Sequence, residues 1–404
     1  MISYFYYKKN GNLFTMEKKN LTNNQRCSVA GKCGGCQLQN MTYDRQKAFK
    51  QAKVVKLFAK YCHVAPIEGM ENPYHYRNKV SAAFGTTRSG MIISGVYQSS
   101  THNIVKIDSC MLEDQNADRI IVTIRNLLRE FRLTAYNERI EKGFLRHVLI
   151  RRGFSTGEIM VVLVTATPVF PGKNHFIEKL LKIHPEITTV VQNINNKFTS
   201  MVLGDAQKVL YGKGYIEDIL CGKRFRISPK SFYQINPVQT EKLYRCAINL
   251  ASLSGNERVI DAYCGIGTIG IAASDKAKEV IGAELNKDAV HDAKINAKIN
   301  KIENIRFFAE DAGEFMEALA ENGETADVVF TDPPRAGCSR KFLDSLLTLA
   351  PKKIVYISCD IETQARDVHY LTKNGYKVNA CRPFDMFPHT KHIENIILLT
   401  KSEN

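Results

Sequence analysis

Seven short apolar runs alternate with helical segments through the C-terminal part of the chain, from about residue 216 onward. This alternation predicts a doubly wound, mostly parallel β-sheet, because parallel neighbours need a helical crossover between them. Such an α/β sheet binds its ligands beyond the carboxyl ends of its strands. The runs begin at Arg258, Glu279, Ile305, Ala326, Lys353, Tyr376 and Asn395.

The sequence divides into four predicted segments. Residues 1–26 form a basic, polar leader that we expect to be loosely ordered. Residues 27–73 contain a cysteine- and glycine-rich loop and a basic helix, which is predicted at 43–61. Residues 74–215 form a smaller α+β module, and residues 216–404 contain the α/β domain. The central module is predicted from strand-like runs at 79–84, 95–98, 145–152 and 159–164 and helical patterns at about 114–131 and 173–183.

The charge of the chain favours a polyanionic partner. Its 56 basic and 41 acidic side chains give a formal net charge of +15, and residues 1–60 hold 12 Lys or Arg but only two acidic residues. In the basic helix, Lys47, Lys50 and Lys53 recur at i, i+3 spacing. A basic surface of this kind attracts nucleic acid, although an ordinary solvated basic protein would show the same balance.

The sequence predicts a cytoplasmic protein without a membrane anchor. No run approaches the roughly 20 apolar residues of a membrane span, and the aromatic N-terminus lacks the layout of a signal peptide. In a cytosolic chain, cysteines are more often metal ligands or catalytic groups than disulfides. No obligate protein partner is evident.

A glycine loop, Asp261 to Gly270, follows the first run and opens a helix. Glycines allow a ligand to approach the backbone closely at a helix N-terminus. Glu284 ends the next run, 19 residues after Gly265, where a carboxylate can accept hydrogen bonds from ribose hydroxyls. This pair fits either a dinucleotide or S-adenosylmethionine.

Three further polar residues, Asp311, Asp332 and Cys359, end the following runs, so their side chains should meet Glu284 at one edge of the sheet. The Asp-Pro-Pro sequence that begins at Asp332 favours a methyltransferase. Methyltransferases that act on exocyclic amines usually have an aromatic residue after the prolines, but here Arg335 follows. This departure argues against amine methylation.

A cysteine cluster is predicted near the N-terminus. Cys27, Cys33 and Cys36 have the spacing C-x5-C-x2-C, and Cys110 is the best candidate for a fourth ligand because it ends a strand-like run. Four thiolates suit an iron–sulfur cluster or zinc, and the alternative of no metal stays open. The remaining cysteines include Cys264, which lies near the presumed site without an assigned role.

The chain resembles the RNA uracil-5 methyltransferases, in particular the branch that methylates 23S ribosomal RNA and carries a [4Fe-4S] cluster. The resemblance covers roughly residues 27–400. It rests on the cysteine spacing and on six further stretches: Tyr76-Arg77-Asn78-Lys79, Ser231 to Pro237, Asp261 to Thr268, Asp332 to Gly337, Ser358-Cys359 and His392-Ile393-Glu394.

The resemblance implies a Rossmann-like S-adenosylmethionine domain in which Cys359 is the nucleophile and Glu394 the general base. It implies that the [4Fe-4S] cluster is held by the four cysteines named above, and that the substrate is 23S ribosomal RNA rather than tRNA. It further implies that S-adenosylmethionine or the target base is contacted by Gln234, Tyr263, Glu284, Asp332, Thr268 and Asp311.

Two departures from the family pattern stand out. Asp360 follows the nucleophile where asparagine is usual, and a neighbouring carboxylate would raise the pKa of the thiol unless it points away or finds a donor. Only 26 residues precede Cys27, so we expect no N-terminal β-barrel RNA-binding domain. The competing functions are an exocyclic amine methyltransferase and a non-catalytic RNA-binding or assembly factor.

Overall fold

The computed structural model describes residues 6–9, 12–15 and 27–402. Its strands are β1 (Tyr6–Lys9), β2 (Asn12–Thr15), β3 (Lys79–Thr86), β4 (Ile92–Tyr97), β5 (Ile104–Lys106), β6 (Leu145–Arg152), β7 (Ile159–Thr165), β8 (Ile187–Ile194), β9 (Ala206–Tyr211), β10 (Ile216–Leu220), β11 (Lys223–Ile227), β12 (Arg258–Ala262), β13 (Glu279–Ala283), β14 (Ile305–Phe308), β15 (Val328–Thr331), β16 (Lys353–Ser358), β17 (Tyr376–Phe384) and β18 (Glu394–Lys401).

Ten α-helices connect or cover these strands within the described residues. They are α1 (Ala30–Cys33), α2 (Tyr43–Phe58), α3 (Gln115–Glu130), α4 (Lys173–Ile183), α5 (Pro237–Ala251), α6 (Thr268–Ala273), α7 (Lys287–Ile299), α8 (Ala312–Glu321), α9 (Arg340–Leu349) and α10 (Ile361–Lys373).

The C-terminal sheet has seven strands in the order β14-β13-β12-β15-β16-β18-β17. All neighbouring pairs from β14 to β16 are parallel, whereas β18 runs antiparallel to both β16 and β17. Each of the seven predicted runs coincides with one of these strands, which confirms the α/β fold. The central strands are buried throughout because helices cover both faces of the sheet.

The central module contains a second seven-stranded sheet, in the order β5-β4-β3-β6-β7-β8-β9. The helices predicted at about 114–131 and 173–183 are α3 and α4, and the predicted strands are β3, β4, β6 and β7. The strand-like run that ends at Cys110 contains β5, whereas β8 and β9 were not predicted. The two sheets share a core, since Leu149 and Met160 belong to the same buried cluster as Leu243 and Ile396.

Helix α2 packs against the C-terminal sheet. Val54 and Phe58 are fully buried in a cluster that includes Val378 and Cys381 of β17. The prediction that α2 offers a basic face therefore needs correction at Lys50, whose side chain is fully buried. Its ammonium group lies 2.5 Å from the carboxylate of Asp385. Lys50 is buried together with this partner because an unpaired ammonium group in the protein interior would be costly.

Part of the predicted leader is paired. Strands β1 and β2, which belong to this segment, pair with each other in an antiparallel arrangement. The rest of residues 1–26 lies outside the described residues. The predicted absence of a β-barrel and the four segment boundaries stay predictions. Among the described residues, no helix has both the length and the apolar character needed to cross a bilayer.

Candidate active site

A cavity of about 670 Å³ opens at the carboxyl ends of β12, β13, β15 and β16. Open α/β sheets bind ligands at this edge. All eight residues predicted to act in catalysis or cofactor binding border this one cavity, although they come from positions far apart in the chain. They are Gln234, Tyr263, Thr268, Glu284, Asp311, Asp332, Cys359 and Glu394.

The glycine loop between β12 and α6 depends on backbone angles that favour glycine. Gly267 has φ of 82°, and a Cβ atom there would lie 2.8 Å from the ring of Phe307. Gly265, also at positive φ, borders the cavity, and a Cβ there would meet no atom within 4 Å. The loop therefore exposes backbone to the cavity at Gly265 and packs tightly against the sheet at Gly267.

Glu284 holds this loop in place. Its Oε2 accepts a hydrogen bond from the backbone N–H of Gly265 at 3.1 Å, and its Oε1 accepts one from Asn286 at 2.8 Å. Each carboxylate oxygen can accept more than one hydrogen bond. Glu284 can therefore hold the loop and still receive a ligand hydroxyl.

The other cofactor candidates differ in their surroundings. Thr268 begins α6, and its Oγ1 lies 3.3 Å from the hydroxyl of Tyr244. Tyr263 packs against Phe342, with ring centroids 5.3 Å apart. Asp311 caps α8 by accepting hydrogen bonds from the N–H groups of residues 313 and 314. Asp311 therefore has a structural task in addition to bordering the cavity.

Cys359 and Glu394 lie on neighbouring strands. Cys359 follows the last residue of β16, and Glu394 begins β18; these strands pair with Ser358 opposite Asn395. The Glu394 side chain is buried, and its Oε1 has no hydrogen-bond partner among the described residues. A buried carboxyl oxygen without a partner, on a residue that borders the cavity, is available to a ligand.

Burial raises the pKa values of three groups at the cavity, and neighbouring carboxyls contribute at two of them. Burial, followed by repulsion from the carboxyls of Glu394 and Asp332, raises the pKa of Cys359 to about 11. The pKa of Asp332 rises to about 7 through burial. Burial, followed by repulsion from Asp332, lifts the pKa of Glu394 well above its ordinary value. A cationic group bound nearby would favour the ionised forms of these carboxyls.

Arg335 is a site residue that the sequence patterns did not identify. It borders the cavity, and its guanidinium lowers the pKa of both Cys359 and Glu394. The sequence indicated only that an aromatic residue was missing at this position. Its proximity to Cys359 arises from the folded path of the Asp-Pro-Pro loop.

The structure also shows what Asp360 does. Its Oδ1 accepts hydrogen bonds from the N–H groups of Glu362 and Thr363, both at 3.1 Å, so that it caps α10. A carboxylate at a helix N-terminus is stabilised by the free N–H groups there. Asp360 therefore has the hydrogen-bond donors that we expected for a carboxylate next to the nucleophile.

Alkylation of Cys359 by iodoacetamide in cofactor-free protein is expected to accelerate about tenfold per pH unit between about pH 7 and pH 10, because the thiolate reacts and the pKa is about 11. Mass spectrometry of the peptide that contains Cys359 measures the rate. Arg335→Met should shift the curve to higher pH, since the guanidinium lowers this pKa. A rate that levels off below about pH 9 would contradict the raised pKa.

The four predicted cluster ligands also come together. Cys27, Cys33, Cys36 and Cys110 border a single small cavity beside α1. Burial raises the pKa of Cys36 to about 11, and Cys33 and Cys27 add to that rise, as expected of neighbouring thiols. In the part of the chain that the structure describes, no group of three or more His, Cys, Asp or Glu side chains is arranged to hold a metal ion.

Comparison with known proteins identifies the family. The model of the tRNA (uracil-5-)-methyltransferase family matches residues 182–402, which is more than half of the chain. The chain belongs to this family. The predictions of an enzyme and of an RNA uracil-5-methyltransferase are thereby confirmed.

Relatives of this uracil-5-methyltransferase are similar over most of their length. A Clostridium acetobutylicum protein named as an uncharacterized RNA methyltransferase is 44% identical over 382 residues, covering 93% of this chain and 83% of the relative. A Halalkalibacterium halodurans protein of the same description is 43% identical over 378 residues, covering 92% and 82%.

A solved structure shares the fold of this uracil-5-methyltransferase. It is the Pyrococcus abyssi tRNA (uracil-54, C5)-methyltransferase in complex with S-adenosyl-L-homocysteine, with a TM-score of 0.76 and 26% identity. The match covers 98% of this chain and 92% of the Pyrococcus chain.

Proposed function

We propose that this protein methylates carbon 5 of a uridine in 23S ribosomal RNA, with S-adenosylmethionine as methyl donor. The observation that carries the proposal is the presence of Cys359 and Glu394 in one cavity with the glycine loop and Glu284. A thiol and a carboxyl are the two groups that carbon-5 methylation needs, and this family carries out that reaction.

The residues around the cavity fit the methyl donor. Glu284 would accept hydrogen bonds from the ribose hydroxyls, while the exposed backbone at Gly265 leaves room for close approach. The pKa values of Asp332 and Glu394 are both raised in the free protein, chiefly by burial, and the positive sulfonium would favour their ionised forms. The donor supplies one methyl group.

Cys359 and Glu394 divide the chemistry between them. Carbon 5 of uracil is a poor nucleophile, so the Cys359 thiolate adds to carbon 6 and the ring becomes an enolate. Carbon 5 then takes the methyl group by in-line displacement. Glu394 removes the carbon-5 proton, the carbon–sulfur bond breaks, and Cys359 leaves as the thiolate. Arg335 favours the thiolate form needed for the first step.

The target uridine must leave its base stack to enter such a cavity. Extrusion is least costly in a loop or bulge, where unpaired bases are accessible. The basic excess of the chain supports RNA binding, and we assign the grip to the central module together with exposed cations around it. By the family resemblance, the cysteine set favours ribosomal RNA over tRNA.

Mapping 5-methyluridine in a bacterial strain that lacks the gene tests this function. Mass spectrometry of nuclease fragments should show one or more unmodified uridines in 23S ribosomal RNA. The modification should return with the wild-type gene but not with a Cys359→Ala copy. Loss of 5-methyluridine from tRNA, with ribosomal RNA unchanged, would overturn the ribosomal assignment.

We also propose that Cys27, Cys33, Cys36 and Cys110 hold a [4Fe-4S] cluster. The four side chains border one cavity, and the backbone of Gly35 lies close to them, since a Cβ there would be in van der Waals contact with the sulfur of Cys33 at 3.4 Å. A cluster here would cross-link the loop before α2 to the central module. This role is structural and requires no electron transfer.

Protein purified without oxygen is expected to absorb broadly near about 400 nm and to contain iron and sulfide, as thiolate-bound clusters do. Cys110→Ala should remove the absorbance, because it deletes one of four ligands. Cys62→Ala is the matched control, since Cys62 lies outside the cavity and should leave the spectrum unchanged. Stoichiometric zinc without iron would contradict the proposal.

A further inference from the structure

The segment between β17 and β18, residues 385–393, borders the cavity through Phe387 and is called the strap below. Five consecutive carbonyl groups of the strap each accept a hydrogen bond from a donor outside it. The donors are Gln239 Nε2 to Asp385 at 3.2 Å, Asn236 Nδ2 to Met386 at 2.8 Å, Lys50 Nζ to Phe387 at 3.0 Å, Tyr76 Oη to Pro388 at 3.0 Å and the backbone N–H of Leu38 to His389 at 3.0 Å.

The donors come from four separate parts of the chain, and several are themselves buried. Lys50, Asn236 and Gln239 are fully buried, and Tyr76 is 2% exposed. Lys50 also pairs with the Asp385 carboxylate at 2.5 Å. Burying an ammonium group and two amides is costly unless each is satisfied. The first five residues of the strap, 385–389, are therefore held by hydrogen bonds from groups that would otherwise be buried without a partner.

One side chain of the strap faces the cavity. Asp385, Met386, Pro388 and His389 are buried, whereas Phe387 between them is only partly buried. Phe387 borders the same cavity as Cys359 and Glu394. The locked backbone therefore presents an aromatic ring to the place where the reaction occurs.

A pyrimidine held in this cavity needs a flat apolar surface. The sequence lacks the aromatic residue that often follows Asp-Pro-Pro, because Arg335 stands there. Other aromatic residues at the cavity are less suited: Tyr263 packs on Phe342, and Phe232 is 66% exposed. Tyr233 and Tyr244 also border the cavity, but they are buried at 4% and 2% exposure. Phe387 remains as a partly buried ring that the surrounding structure holds still.

We infer that Phe387 is the surface against which the target uracil ring packs, and that Tyr76 is a positioning residue that holds Phe387 there through Pro388. The inference rests on the proposed function. It also gives a task to the Tyr76-Arg77-Asn78 stretch, because Asn78 Nδ2 donates to the carbonyl of Gln234 at 3.0 Å. Two walls of the cavity are thus tied to the start of β3.

The test uses a 23S ribosomal RNA fragment transcribed with 5-fluorouridine, which traps the covalent adduct because fluorine cannot leave as a proton does. Phe387→Ala should slow adduct formation by roughly 5- to 150-fold, the range for losing one base–aromatic contact. The affinity for S-adenosylmethionine, measured by calorimetry, should stay unchanged. Phe387→Tyr, which keeps the ring, should retain most of the rate, and Phe387→Leu should lose it while preserving the packing volume.

Tyr76→Phe removes only the hydroxyl group that donates to Pro388. It should slow adduct formation about fivefold in the wild-type background, as expected for one lost hydrogen bond, and have no effect in the Phe387→Ala background. Tyr376→Phe is the matched control, because Tyr376 donates to the carbonyl of Pro351 at 2.9 Å, is also buried and lies away from the cavity. Tyr376→Phe should leave the rate of adduct formation unchanged in both the wild-type and the Phe387→Ala background.

An undiminished rate in Phe387→Ala would overturn the packing role. Equal effects of Tyr76→Phe in both backgrounds would show that Tyr76 acts by another route. If the wild-type protein forms no Cys359 adduct with any RNA, the proposed function fails first. If the wild-type protein forms the adduct and Phe387→Ala forms it at the same rate, only this inference is overturned.

Discussion

Cys359→Ala is expected to abolish both methyl transfer and covalent RNA adducts, because without the thiolate carbon 5 of uracil never becomes nucleophilic. The variant should still bind S-adenosylmethionine, since the glycine loop and Glu284 are intact. Transfer of a labelled methyl group to 23S ribosomal RNA transcripts measures activity, and a denaturing gel with 5-fluorouridine RNA detects the adduct. We expect a loss of at least about a thousandfold, in the range seen when an essential nucleophile is removed.

Cys246→Ala is the matched control for this experiment. Cys246 is a half-buried free cysteine on α5 that does not border the cavity. It should methylate at the wild-type rate. Activity retained by Cys359→Ala would exclude the covalent mechanism and revive the alternative of a methyltransferase that acts on an exocyclic amine.

Glu394→Gln should instead accumulate a methylated, covalent protein–RNA complex. The amide fills the same space but cannot take the carbon-5 proton, so the reaction stops after methyl transfer and before release of Cys359. Turnover should fall by about a hundredfold to ten-thousandfold, the usual contribution of a general base. The complex should survive denaturation, and mass spectrometry should find the added methyl group on the bound uridine.

Glu68→Gln controls for the removal of a carboxylate. Glu68 pairs with Lys242 outside the cavity, and this variant should turn over normally without a trapped complex. Normal turnover by Glu394→Gln would place the base elsewhere. Asp332, which also borders the cavity and has a pKa raised to about 7, would then be the next candidate.

The α/β fold was predictable because its information is local. Each buried parallel strand is a short apolar run, and Asp332 and Cys359 lie directly after two such runs. Once the strands are parallel, their carboxyl ends meet, so residues far apart in the chain gather at one edge. Gln234 precedes α5 rather than following a strand, so its place at the cavity could be predicted only from the family resemblance.

The central module was predicted less completely. The exposed edge strand β9 has almost no buried residue, so it lacks the alternation that identifies a half-buried strand. Lys50 was assigned to a basic surface because its spacing matches Lys47 and Lys53. Its burial depends on Asp385, which lies 335 residues further along the chain.

Periodicity was sufficient to predict the α/β architecture and the place of Cys359 at a strand end, because both depend on residue type and local spacing. The roles predicted for Cys359, Glu394 and the cysteine set came from the family resemblance. The raised pKa values, the role of Arg335 and the strap that carries Phe387 depend on which groups become buried together. Burial removes water from these groups and brings donors from Leu38, Lys50, Tyr76 and Asn236 to one segment. Such contacts join residues hundreds of positions apart, and only the packed molecule defines them.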